Sequence, residues 1–192
     1  MAVALVGFAV HGFVGHVPST TSYLFTIVAL GAIVIALRRE PLPDLLAYGL
    51  ALDAVAHLSG GLIRVGHGVL YNAGVGARSA RLETHLIQVD HIVHTYGTFI
   101  AAIVVWVLVV RPMVTVPSPG SVAITCVLAG LGVGATNELV EFVVTLLNSH
   151  SHVGGYANTG WDLVANAVGA SIAGLVIWRS ERRRAVTAAA SA

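Results

Sequence analysis

The sequence predicts an all-α fold, a polytopic transmembrane bundle of about six membrane-spanning helices, and three observations predict it. Of 192 residues, 56% are hydrophobic and only 10% are charged, where a soluble domain carries about 25% charged residues. The mean hydropathy of +0.85 leaves more apolar surface than the chain can hide from water on its own. The apolar residues also gather in long stretches, and a hydrocarbon core of ~30 Å takes about 20 of them at ~1.5 Å rise each.

Six such segments are legible, at 2–17, 20–37, 43–65, 85–110, 121–147 and 160–178. The first is short and interrupted by His11 and His16, so its full passage across the membrane stays open. Pro41 and Pro43, then Pro112, Pro117 and Pro119, punctuate two of the junctions, where helices stop and restart. Gly-rich stretches at 60–76 and 154–160 mark two longer connections. We read residues 1–180 as one transmembrane domain and 181–192 as a short basic, Ala-rich tail. No basic residue precedes the first apolar run and no small-residue cleavage site precedes His16 and Pro18, which favours a mature membrane segment over a cleaved signal.

Charge sets the expected orientation. All ten basic residues are Arg, a bias we assign to genome composition. Arg38, Arg39, Arg111, Arg179, Arg182, Arg183 and Arg184 fall on one side of the predicted bundle, and Arg64, Arg78 and Arg81 on the other. Seven against three places both termini in the cytoplasm of a plasma-membrane protein. Trp106 near Arg111 and Trp178 beside Arg179 fit an aromatic belt at that face, with Tyr156 and Trp161 at the opposite one. The formal charge of +1 and the absence of a clustered basic surface beyond the tail argue against a nucleic-acid partner. A single cysteine, Cys126, excludes a disulfide framework or a Cys-based zinc site within one chain.

Ionisable side chains inside hydrocarbon cost at least about 2.5 kcal/mol each and normally face a bundle interior or a wet cavity. Here they come in stripes, because residues three or four apart share a helix face: Asp53/His57, Asp90/His94, Glu138/Glu141 and Asn158/Asp162/Asn166, with Asn137 beside the third. His57 and Glu138/Glu141 come late in outward-running segments, and Asp90/His94 and Asp162/Asn166 come early in inward-running ones. All therefore share one level, the extracytoplasmic half, which predicts a single polar cavity open to that side. Helix packing alone accounts equally well for Asn137, Asn158 and Asn166, since interhelical polar contacts contribute about 0.6 to 2 kcal/mol. His11, His16, His67, His85, His91, His150 and His152 read as solvated loop or interface histidines. The glycines of Gly130-Leu131-Gly132-Val133-Gly134, and the pair Gly169 and Gly174, read as close helix packing rather than a ligand loop. Asp53-x-x-x-His57-x-x-Gly60 recurs as Asp90-x-x-x-His94-x-x-Gly97, three matched positions that chance also supplies.

The run His57-Leu58-Ser59-Gly60-Gly61 with Tyr71 beyond it, Asp90-His91-Ile92-Val93-His94, Glu138-Leu139-Val140-Glu141-Phe142, and Trp161-Asp162 leading to Gly169-Ala170 resemble, in order, the motifs of the YjdF-like inner-membrane proteins. Asp90/His94 and Asp162-x-x-x-Asn166-x-x-Gly169 are also similar to VanZ-like proteins. The resemblance spans 57–170 and implies a multi-pass membrane protein with these polar residues gathered, without lending an activity. The chain departs at His91, where the family tends to have Arg or Lys, and at Asn166, where the YjdF-like pattern tends to have a second acid.

Three function classes fit the residues. A membrane-embedded enzyme on a lipid or lipid-linked substrate would use His57, His94, Glu138 and Glu141 as catalytic groups. His57, Asp90, His94, Glu138, Glu141 and Asp162 would be candidate ligands of a divalent metal ion, since carboxylates and neutral imidazole are its usual protein donors. Asp53, Asn137, Asn158 and Asn166 would orient those ligands. Hydrolysis or group transfer suits the residues better than redox chemistry, and no Arg/Lys-rich phosphate-holding motif is present. The alternative is a proton- or ion-coupled carrier using the same groups as a relay, or a non-catalytic structural subunit.

Overall fold

The computed structural model describes residues 6–10, 20–38, 41–79, 84–113, 118–147 and 156–191. His11, His16, His150 and His152 lie outside these, as does most of the predicted first segment, of which 6–10 is helical. The helices are α1 (Thr20–Leu37), α2 (Asp44–Leu62), α3 (Val89–Met113), α4 (Pro119–Leu147) and α5 (Tyr156–Ala190). Among the described residues four helices, α2 to α5, are long and apolar enough to cross a membrane. The 18 residues of α1 carry no charge and extend ~27 Å at helical rise.

Helix starts follow local chemistry. Pro43 precedes α2, and its carbonyl accepts from the Leu46 and Ala47 amides at 2.9 and 3.0 Å; Asp44 in the first turn complements the positive end of the helix. Pro119 opens α4, where no amide hydrogen is needed. The connection between α2 and α3 is not a plain loop. It holds a two-residue hairpin of β1 (Arg64–Val65) and β2 (Gly68–Val69), a 3₁₀ turn at Leu70–Asn72, and a second antiparallel hairpin of β3 (Gly74–Ser79) and β4 (Thr84–Gln88). Gly66 at φ 59° makes the first turn, a backbone conformation that glycine adopts without a Cβ penalty. His67 is exposed there, and His85 falls on β4.

The bundle centres on α3, α4 and α5, which pack extensively on one another; α2 packs on α3, and α1 on α2. At one end its interior is small and apolar, built from Ala102, Val122, Ala123, Cys126, Ala173 and Ile177. The outward faces are apolar too: Leu45 is 85% exposed, and Ile124 and Leu128 are each 63% exposed. Apolar residues on both sides of a helix are what a lipid-facing bundle requires.

At the apolar end α3 opens into a wider π-type turn over Trp106–Val110. Trp106 donates through Nε1 to Glu181 Oε1 at 3.0 Å, and Arg184 Nη1 reaches the same oxygen at 3.3 Å. Glu181 is 4% exposed, and α5, tied here to α3, runs unbroken to Ala190. Arg111 lies over the Trp106 ring and Arg182 over the Trp178 ring, at 6.0 and 5.4 Å. Removing a buried acceptor leaves its donors unmatched, at about 1–3 kcal/mol. Glu181→Ala is therefore expected to lower stability by that amount while Glu181→Gln retains most of it; equal thermal unfolding of Glu181→Ala and wild type would show the clamp to be energetically silent.

Candidate metal centre

The polar stripes of α3, α4 and α5 meet at the end of the bundle where α3 and α5 begin and α4 nears its close. His94 is the hub. Its Nδ1 lies 3.1 Å from Glu138 Oε1, and its Nε2 lies 3.2 Å from Asp90 Oδ1 and 3.8 Å from Glu141 Oε1. Asp162 projects from α5 into the same space and is fully buried. Asp90, His94, Glu138 and Glu141 are all under 9% exposed. Donor atoms of Asp90, His94 and Asp162 lie within 4.8 Å of one another, and so do those of Glu138, Glu141 and Asp162.

Three amides hold one oxygen of each acid. Asn158 Nδ2 donates to Asp90 Oδ2 at 3.1 Å and to Asp162 Oδ2. Asn166 Nδ2 donates to Glu138 Oε1 at 3.4 Å, and Asn137 Nδ2 to Glu141 Oε1 at 2.9 Å. Thr98 Oγ1 donates to Asn166 Oδ1 at 2.5 Å, which sets the amide so that its NH₂ faces Glu138. The complementary atoms are left over: Asp90 Oδ1, Asp162 Oδ1, Glu138 Oε2 and His94 Nε2 are buried with no hydrogen-bond partner among the described residues. Asp90 Oδ1 and His94 Nε2 are close but not aligned for a hydrogen bond.

This arrangement is expensive without a counter-charge. Four carboxylates share one imidazole, and among the described residues the only ion pair made by an Arg is that of Arg184 with Glu181, at the far end. Buried acids need paired charge, protons or a metal. Free carboxylate oxygens and a free ring nitrogen converging from three helices fit a divalent cation. His94 in addition places its other nitrogen on a carboxylate, the outer contact that fixes the ring and tautomer of metal-binding histidines.

His57 is set apart from these two groups. Its Nδ1 is 2.8 Å from the hydroxyl of Tyr71, its Nε2 is 3.7 Å from Asp53 Oδ1, and its ring centroid is 5.8 Å from that of His94. A separate pair of neighbours thus holds it, so His57, a candidate metal ligand by sequence, belongs to neither donor group. Gly97 makes room for this pair: a Cβ there would lie 2.9 Å from Asp53 Oδ1 and 3.2 Å from His57 Nε2. His91 is partly exposed and packs its ring 5.9 Å from Trp161, in keeping with an interface role.

Tyr71, Thr95 and Thr98 support the site without having been read as site residues. Thr98 continues the Asp90/His94 stripe by one more turn, so its spacing was the available signal. Thr95 Oγ1 donates to the His91 and Ala165 carbonyls at 2.8 and 3.2 Å, tying α3 to α5. Tyr71 is 1% exposed and sits in the connection, where helical periodicity offers no signal.

The fold and this centre define a class, a multi-pass membrane protein with a buried Asp/His/Glu group. A family model described as "Predicted membrane protein (DUF2238)" matches residues 1–183, and the chain belongs to that family, in agreement with the YjdF-like resemblance. No curated protein and no solved structure matches the chain.

Proposed function

We propose that the protein is a divalent-cation-dependent membrane enzyme that hydrolyses, or transfers a group from, a lipid or lipid-linked substrate. The observation that carries this reading is the set of buried, unpartnered donor atoms on Asp90, His94, Glu138 and Asp162, aimed at one another from three helices. A cation bound there would supply Lewis-acid polarisation of the substrate oxygen at the reacting centre. Asn137, Asn158 and Asn166 hold the acids in place. His57, oriented by Tyr71 and Asp53 and close to His94, is the group positioned to move a proton as a general base or acid.

Access favours a lipid. A cavity of about 200 Å³ reaches Asp53, His57 and His94 between aliphatic walls from α1, α2 and α3, including Leu30, Ile33, Leu50 and Val104. An alkyl chain fits such walls, and its polar head would then lie at the two imidazoles. The Arg distribution favours both termini in the cytoplasm of a plasma-membrane protein, which would put the site in the outer half of the bilayer.

The test is metal dependence. Protein purified in detergent, stripped with EDTA and reloaded with Mn²⁺ or Zn²⁺, is expected to bind the ion and to release soluble products from a mixed-lipid nanodisc only when loaded. Binding of no ion and no turnover would sink the reading. A pH-dependent ion flux in proteoliposomes, abolished by Glu138→Gln and indifferent to EDTA, would replace it with a carrier.

A further inference from the structure

We propose that the centre holds two divalent cations, with the Asp162 carboxylate bridging them. The inference rests on the metal-dependent reading above and deepens it. Five donors surround the centre, but their atoms do not converge on one point. They fall into two groups, Asp90/His94/Asp162 and Glu138/Glu141/Asp162, and Asp162 is the only residue in both. Protein donors lie ~2.0–2.2 Å from a metal of this kind, so the donors of one ion stand within about 4.4 Å of each other. Each trio approaches that spacing; the five together do not.

Apart from Asp53 Oδ1, which lies beside His57, the buried unpartnered atoms sit on residues that divide in the same way. Of the residues that carry them, His94 and Asp90 belong to the first trio, Glu138 to the second, and Asp162 to both. These residues are between 0% and 4% exposed, and a buried polar atom left without a partner is costly. Asn158 occupies the Oδ2 atoms of Asp90 and Asp162 together, which turns both Oδ1 atoms inward. The imidazole links the trios, because its Nδ1 rests on Glu138 Oε1 while its Nε2 remains for the first ion.

Once all four acids are ionised, charge favours two ions over one. Asp90, Glu138, Glu141 and Asp162 bring four negative charges, and among the described residues no Arg pairs with any of them. One divalent ion leaves an excess of two negative charges in a low-dielectric interior; two ions leave none. A neutral buried group avoids the penalty of uncompensated charge in the interior. Carboxylate-rich sites with one imidazole suit Mn²⁺, Fe²⁺ or Zn²⁺, and paired ions in hydrolytic centres stand ~3.5–4 Å apart.

Mn²⁺ is the probe. Full-length protein in detergent, stripped with EDTA and equilibrated with Mn²⁺, is expected to retain two ions per chain by elemental analysis after desalting. Its low-temperature EPR spectrum should be that of an exchange-coupled pair. Asp162→Asn is expected to lower retention to one ion or fewer and to remove the coupling. Glu141→Gln, altering the second trio only, should leave one uncoupled ion with a six-line spectrum and serves if Asp162→Asn does not fold. Wild type that retains a single uncoupled ion overturns the bridged pair while leaving a one-ion enzyme standing; wild type that retains none overturns both.

Discussion

Replacing His94 by alanine is expected to weaken divalent-metal affinity at the Asp90/His94/Asp162 trio by more than about tenfold, since even partners one step removed from a metal contribute ~10- to 100-fold in affinity. His94 touches three of the acids, at 3.1 to 3.8 Å, and it is the only non-carboxylate donor in either trio. A ligand and a structural hub both lose stability on truncation, so the decisive measurement is the metal-dependent part of stability. A ligand at 100 times its dissociation constant raises unfolding free energy by about 2.7 kcal/mol. Wild type should therefore unfold at a higher temperature when Mn²⁺ is added, and His94→Ala should lose the part of that shift that the Asp90/His94/Asp162 trio supplies. A variant that keeps the metal-induced shift would remove His94 from the ligands; a wild type without any shift would make the imidazole a packing element.

Much of this arrangement was legible because membrane burial makes polar residues conspicuous. The i, i+4 pairs Asp53/His57 and Asp90/His94 are in contact as their spacing predicts, and α1 spans the stretch expected from hydropathy. Boundaries failed where another rule took over. Residues 85–88 read as the start of the fourth apolar segment, yet they belong to the strand Thr84–Gln88, which pairs with Gly74–Ser79, and α3 begins only at Val89. The last helix outruns its apolar stretch by more than ten residues to Ala190, because Ala and Arg sustain a helix in water as well as in lipid. Spacing gives the face of a helix but not its direction in the bundle. That His57 would turn to Tyr71, and that Asp162 would stand between two trios, are facts of nonlocal packing.

That packing is also the point at which the site is most vulnerable from a distance. Gly169 lies two turns beyond Asp162 on α5, and a Cβ there would fall on the backbone carbonyl of Thr95 in α3. A backbone atom cannot swing aside as a side chain can, so the two helices would have to part. Thr95 also donates to the Ala165 carbonyl at this crossing, and separation would stretch that bond and draw Asp162 and Asn158 away from Asp90 and His94. Overpacking of this kind costs about 1–3 kcal/mol for small additions. Gly169→Ala is therefore expected to lose stability in that range and Gly169→Val more, each with weaker metal binding although neither touches a donor atom. Gly132 on α4 is the control, since a Cβ there meets nothing within 4 Å. Gly132→Ala should be neutral or stabilising by about 0.4–1 kcal/mol, through the reduced freedom of the unfolded chain. Thermal unfolding in detergent that ranks Gly169→Ala level with Gly132→Ala would mean that α3 and α5 have slack at their crossing. The donor geometry would then be held by the amides of Asn158 and Asn166 rather than by the close approach of the two helices.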